Sequence, residues 1–168
     1  MKKALIVIDI QNDYFANGKF PLWNAENTLN NVEKAIEKAN ANNIPVILIQ
    51  HISDSKSPFF NEGTKGVEIH PRILKTAPNS KKVIKTFADS FYKTNLKEVL
   101  SQLGVEEILV CGMMTQNCVV FTAISKEADE YSVKILSDCC TTVSEPIHLI
   151  ALKGVSTRVE LLKYNEAM

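Results

Sequence analysis

The chain has 168 residues, 45% of them hydrophobic and 23% charged, the make-up of one soluble globular domain spanning residues 1–168, and this size excludes a repeat array or a two-domain enzyme. A chain of this length buries about 70% of its unfolded surface, so it makes a core without disulfides or a structural metal, and its cysteines are spare. Nineteen Lys plus Arg offset nineteen Asp plus Glu, which argues against a nucleic-acid binder and leaves a small molecule or another protein as partner.

In chain order, the first apolar run covers residues 4–8 and stops at Asp9. It is too short for a secretion signal or a membrane span, so a cytoplasmic protein with reduced thiols is expected. Residues 5–10, 46–50, 107–113 and 133–136 are short β-branched runs, apolar on consecutive positions, as in strands covered on both faces. Helical spacing over 25–40 places Leu29, Val32, Ile36 and Ala39 on one face, and Asn42, Asn43 and Pro45 mark the stop. Residues 53–78, rich in Ser, Pro, Gly and Lys without steady periodicity, are expected to form a functional excursion.

A short Val83-Ile84 run then leads to Lys85, and a helical pattern over 96–103 is closed by Gly104. Residues 117–130 carry Val120, Ile124 and Ala128 at helical spacing, and Ser144-Glu145-Pro146 opens a last helix through Leu152. Strands alternating with helices through short connections predict an α/β fold of three α-β-α layers with a mostly parallel central sheet. Ligands bind such sheets beyond the carboxyl ends of the strands.

That rule selects three residues. Asp9 ends the first strand, where a carboxylate either caps the following turn or is used chemically. Cys118 follows a Gly-Met-Met-Thr-Gln-Asn turn after the strand 107–113; it is either a small buried hydrophobe or, in the first turn of a helix, a thiol whose anion the helix dipole favours. Lys85 is either solvated or the end of a buried strand. The four cysteines, Cys111, Cys118, Cys139 and Cys140, contain no Cys-x-x-Cys pair, which argues against a zinc ribbon or thioredoxin-type site. If the three residues meet, Asp9 takes the thiol proton, Lys85 favours both anions, and Cys118 attacks an acyl carbon. The backbone N–H groups of the 114–118 turn suit an oxyanion hole.

The stretch from Ala4 through Asp9 to Phe15, then Lys85 with Ser90-Phe91 and Thr94-Asn95-Leu96, then Gly112 through Cys118-Val119 with Thr122-Ala123, resembles the isochorismatase-like cysteine hydrolases, a superfamily that includes nicotinamidases. The resemblance implies Cys118 as nucleophile, Asp9 as general base and acid, and Lys85 as third triad member. It also implies a cis peptide between Met113 and Met114 that turns the Met114 N–H toward the oxyanion beside that of Cys118. Relatives that cleave a vinyl ether generally lack the cysteine, so its presence favours hydrolysis of a small amide or carbamoyl compound. A homo-oligomer is implied as well.

Nicotinamidases usually hold a metal through an aspartate and histidines after the second strand, but here Gln50 stands where the aspartate is expected. No metal or other cofactor is therefore expected, and His51 and His70 are assigned to holding the long loop. Tyr14 and Phe15, with Trp23 and Gln50, are expected to wall the substrate pocket. Two competing functions remain. A haloacid-dehalogenase-type phosphatase needs a second aspartate where Gln11 stands, and a binding or scaffold protein would keep the fold without turnover. An isochorismatase-type hydrolase is the alternative within the superfamily.

Overall fold

The computed structural model describes residues 1–168 throughout. Six strands, β1 (Lys3–Ile8), β2 (Val46–His51), β3 (Lys81–Lys85), β4 (Glu107–Met113), β5 (Ser132–Thr141) and β6 (Glu160–Leu162), form one sheet in the order β3-β2-β1-β4-β5-β6. Every pairing is parallel. Buried residues run consecutively along β1, β2 and β4, because helices cover both faces and leave no side for a polar alternation. The helices are α1 (Ala25–Ala41), α2 (Pro71–Thr76), α3 (Leu96–Gln102), α4 (Val120–Ala123), α5 (Glu145–Val155) and α6 (Tyr164–Ala167). The chain steps from β1 to β3 on one side and from β4 to β6 on the other, so right-handed crossovers put α1 and α2 on one face and α4 and α5 on the opposite face. The three-layer fold is the expected one, and no helix is long and apolar enough to cross a membrane.

The departures have local causes. The run predicted over 5–10 ends at Ile8, because Asp9 adopts φ 52° and leaves the sheet. The helix predicted over 117–130 breaks into a π-helical turn at Thr115–Val119, α4, and a 3-10 turn at Lys126–Glu130. Its polar side chains are committed elsewhere: Thr122 Oγ1 accepts the Ser90 N–H at 3.0 Å, and Ser125 Oγ donates to Asp89 Oδ2 at 2.7 Å. β5 runs past 136 because, after a register shift opposite Val110 and Gly112, it pairs with β4 again at Cys140 and Thr141. Asp138, in that shift, accepts Asn31 Nδ2 on its backbone oxygen and the Tyr164 N–H on its carboxylate, tying β5 to α1 and α6.

Two features position the site. The order reverses between β1 and β4, which opens a crevice at their carboxyl ends. The excursion after β2 folds back over that crevice: Gln11 pairs antiparallel with Ile69, and the Asn12 and Asp13 N–H groups donate to Glu68 O and Gly66 O. The helix α2, hidden in that polar stretch, is capped by the His70 side chain, which accepts the Arg72 N–H.

Candidate active site

Asp9 leaves β1 while its N–H still donates to Ile49 O at 3.1 Å, so the carboxylate stays at the sheet end, wholly buried. Gly112 on β4 allows the close approach: a Cβ there would lie 2.1 Å from Ile8 O, and the residue has φ 124°. Lys85 ends β3, two strands away. Neighbouring strands lie about 4.8 Å apart, so only a long side chain crosses β2 to reach β1.

The buried Lys85 Nζ lies 2.8 Å from Asp9 Oδ2, 2.8 Å from His51 Nδ1, 3.0 Å from Phe87 O and 3.2 Å from Cys118 Sγ. Burial by itself pulls this ammonium down, but the Asp9 carboxylate and then the Cys118 sulfur outweigh it, leaving Lys85 above its usual range and charged. Asp9 Oδ1 has no hydrogen-bond partner, so a carboxylate oxygen is available to take a proton.

Cys118 sits in the π-helical turn after β4, which is anchored where Thr115 Oγ1 lies 2.8 Å from the buried His148 Nδ1 of α5. The peptide between Met113 and Met114 is cis, and the Met114 N–H donates to no backbone carbonyl. The expectation of a stabilised thiolate is reversed: burial first, and the Asp9 carboxylate second, push the Cys118 thiol up to about 12 against the pull of Lys85. A cysteine 3% exposed beside a carboxylate gains less from one ammonium than it loses to desolvation. The resting site therefore holds an ion pair of Asp9 and Lys85 beside a neutral thiol.

Asp9, His51 and Cys118 bring an oxygen, a nitrogen and a sulfur within 4.8 Å of one another, types of donor that bind zinc. Lys85 Nζ, however, lies within 3.2 Å of all three residues. An ammonium fills the place a cation would take, so the cluster does not fit a metal. Of the two histidines expected to hold the long loop, His70 does so, its ring accepting the Arg72 N–H to cap α2 and packing on Phe15 at 4.6 Å, whereas the His51 ring accepts from Lys85 instead. Other groups hold the excursion as well. Asp13 accepts the Phe60 N–H at 2.7 Å and the Lys19 N–H at 3.1 Å, and Gln11 Nε2 donates to His51 O and Val67 O.

A cavity of about 120 Å³ opens beside Cys118, lined by Tyr14, His51, Ser53, Ser57, Pro58, Phe59, Phe60 and Asn117. Of the four residues expected to wall it, only Tyr14 does. Phe15 lies against His70, Trp23 lies 5.9 Å from the His148 ring, and Gln50 Nε2 donates to Val67 O. The sequence reading missed the wall supplied by Phe59 and Phe60, because a loop without periodicity gives no sign of which way it folds. His51 had a signal: it ends β2, and the strand-end rule that selected Asp9 and Lys85 applies to it equally.

A parallel sheet that gathers an acid, a lysine and a cysteine beyond the ends of three strands defines a class, the three-layer α/β hydrolases. Within it, the chain belongs to the isochorismatase family, whose domain matches residues 3–162. The chain is 37% identical over 174 residues to the uncharacterized isochorismatase family protein YddQ of Bacillus subtilis, covering 95% of this chain and 96% of that protein. It is 29% identical over 167 residues to Nicotinamidase 3 of Arabidopsis thaliana, covering 91% and 80% of the two chains. Its fold matches an isochorismatase-like hydrolase from Alkaliphilus metalliredigens with a TM-score of 0.90 and 24% identity, over 99% of this chain and 97% of that one.

Proposed function

We propose that this isochorismatase-family hydrolase cleaves an amide or carbamoyl C–N bond of a small molecule through an acyl-enzyme on Cys118. The observation that carries the reading is the buried ammonium of Lys85, 2.8 Å from Asp9 Oδ2 and 3.2 Å from Cys118 Sγ. With the thiol pushed up to about 12, little thiolate exists at neutral pH, and attack requires a base at the moment of bond formation. Asp9 takes the thiol proton as Sγ adds to the carbonyl carbon. The Met114 and Cys118 N–H groups hold the resulting oxyanion. Collapse breaks the C–N bond, Asp9 returns the proton to the departing amine, and a thioester remains. Water then adds to the thioester with Asp9 as base, and release of the acid restores the thiol. Lys85 stays charged throughout and, 2.8 Å from Asp9 Oδ2, holds the carboxylate in place between steps.

The cavity has room on the order of four waters, which suits a compact substrate, and similarity to Nicotinamidase 3 supports a C–N bond. Ammonia release from a panel of primary amides and carbamoyl compounds is the test. Cys118→Ala and Asp9→Asn are each expected to lose about a thousandfold or more, with the double variant no worse than either single one. Full turnover by Cys118→Ala would mean direct attack by water and would overturn the covalent route.

The reading extends to setting and assembly. The four cysteines are buried and unpaired, which supports a reducing, cytoplasmic environment. On α5, Ile147, Leu149 and Ile150 are exposed, Ile150 to 72%, which supports a homo-oligomer that covers them.

A further inference from the structure

The turn that carries Cys118 is closed largely on itself. The Met114 carbonyl accepts the Asn117 and Val119 N–H groups at 3.1 and 3.2 Å, and Gln116 Nε2 reaches the Met114 sulfur. These bonds hold the turn's shape, and side chains reaching other elements hold its place. Cys118 Sγ meets Lys85. The other tie is Thr115, wholly buried at the start of the turn, whose Oγ1 lies 2.8 Å from Nδ1 of the buried His148 on α5. The imidazole is itself fixed. The Trp23 ring lies 5.9 Å from it, on a loop tied to β5 where the Trp23 N–H donates to Thr142 O and Trp23 O accepts from Thr141 Oγ1. His148 does not line the cavity beside Cys118, and no step of the proposed reaction uses it.

We infer that His148 is a positioning residue: through Thr115 Oγ1 it fixes the π-helical turn against α5, and so places Cys118 Sγ and the Met114 N–H together relative to Asp9 and the substrate. The inference rests on the C–N hydrolase reading. Reacting groups must be held within about 0.5 Å, and a misplacement of about 1 Å costs on the order of a hundredfold in rate. The aromatic walls of the cavity, Tyr14, Phe59 and Phe60, come from other elements. Loss of this one hydrogen bond should therefore separate chemistry from binding.

The test uses an amide that the unsubstituted enzyme hydrolyses. Thr115→Val and His148→Leu each remove the bond with little change of volume, and each is expected to lower kcat about ten- to a hundredfold. The Kd of the same amide, measured by calorimetry with either substitution added to Cys118→Ala, should change by less than about twofold. Thr115→Ser keeps the hydroxyl and His148→Asn puts an amide where Nδ1 stood, so both should recover kcat to within about threefold. Combining Thr115→Val with His148→Leu should be no slower than the slower single variant. If His148→Leu does not fold, Thr115→Val against Thr115→Ser decides. An unchanged kcat in Thr115→Val, a Kd that weakens as much as kcat falls, or a His148→Asn as slow as His148→Leu overturns the assignment. Hydrogen exchange at the amides of residues 115–119 gives a readout without turnover, and should quicken at least about tenfold in Thr115→Val beyond the global change. Unchanged exchange there overturns the assignment too. If no amide or carbamoyl compound releases ammonia, the hydrolase reading falls, and quickened exchange leaves the tie between His148 and the turn standing.

Discussion

Asp9 and Cys118 share one ammonium, and the competition decides which is charged at rest. Lys85 stands closer to the Asp9 oxygen than to the sulfur, and the carboxylate itself raises the thiol. Removing that charge should therefore have opposite effects on two measurements. In Asp9→Asn the thiol loses a neighbour that pushes it up, so alkylation of Cys118 by iodoacetamide at pH 8, followed by mass spectrometry, should run several-fold faster than in the unsubstituted protein. Hydrolysis should nevertheless be lost, because the base is gone. Slower alkylation in Asp9→Asn would show that Asp9 does not oppose the thiolate. Cys111 and Cys139, held protonated by burial first, should stay unlabelled.

The elements that carry these side chains are irregular where the chemistry is. β1 ends in a residue with φ 52°, β4 approaches it through Gly112, and the nucleophile rides a π-helical turn instead of the first turn of an α-helix. The excursion is equally specific in construction. Asp13 lies beneath it, buried, accepting the Phe60 and Lys19 N–H groups, and a Cβ on Gly66 would strike its carboxylate at 2.1 Å. Asp13→Ala leaves two backbone donors without their acceptor, at a cost of about 1–3 kcal/mol. Chemical denaturation should register that loss, and hydrogen exchange at Phe60 should quicken at least tenfold, while exchange in β1 and β4 follows only the global change. Unchanged exchange at Phe60 would show that the loop is held by something else.

These same elements show where sequence reading stops. The strand runs around residues 5–10, 46–50 and 107–113 and the helix over 25–40 were legible because burial on both faces of a sheet, or one face of a helix, writes a repeating apolar pattern. Asp9, Lys85 and Cys118 were legible because each follows such a run. Whether they converge was not, since strand order does not follow from local pattern, and neither did the direction of the thiol's shift, which depends on burial. Phe15, Trp23 and Gln50 were expected in the pocket on nearness in sequence to a motif or strand end; each is turned away by a tertiary contact, to His70, His148 and Val67 respectively.

Across the whole molecule, the three histidines act in one direction. His51, His70 and His148 are all held below the ordinary value of 6.5, by burial before any charge, with Lys85 adding to the effect at His51 and Glu26 and Glu145 opposing it at His70 and His148. As pH falls, the unfolded chain takes up these protons before the folded one does, so their contribution to stability is complete above the ordinary value and is lost below it. The melting temperature should fall between pH 7.5 and pH 5.5, and His148→Asn, which removes one of the three groups, should flatten that slope. An unaltered slope in this variant would show that His148 contributes nothing to acid sensitivity. Light scattering should give the mass of an oligomer at micromolar concentration if the α5 face is covered as proposed.

The sequence by itself determined the layered α/β fold, the strand ends from which chemistry is offered, and the family resemblance, because periodic burial and short motifs are written locally along the chain. Only the tertiary structure decided that an ammonium sits among the acid, the imidazole and the thiol, that the thiol rests protonated, and which rings close the cavity. Those outcomes depend on desolvation and on distances between strands that lie far apart in sequence, and neither quantity exists until the sheet has formed.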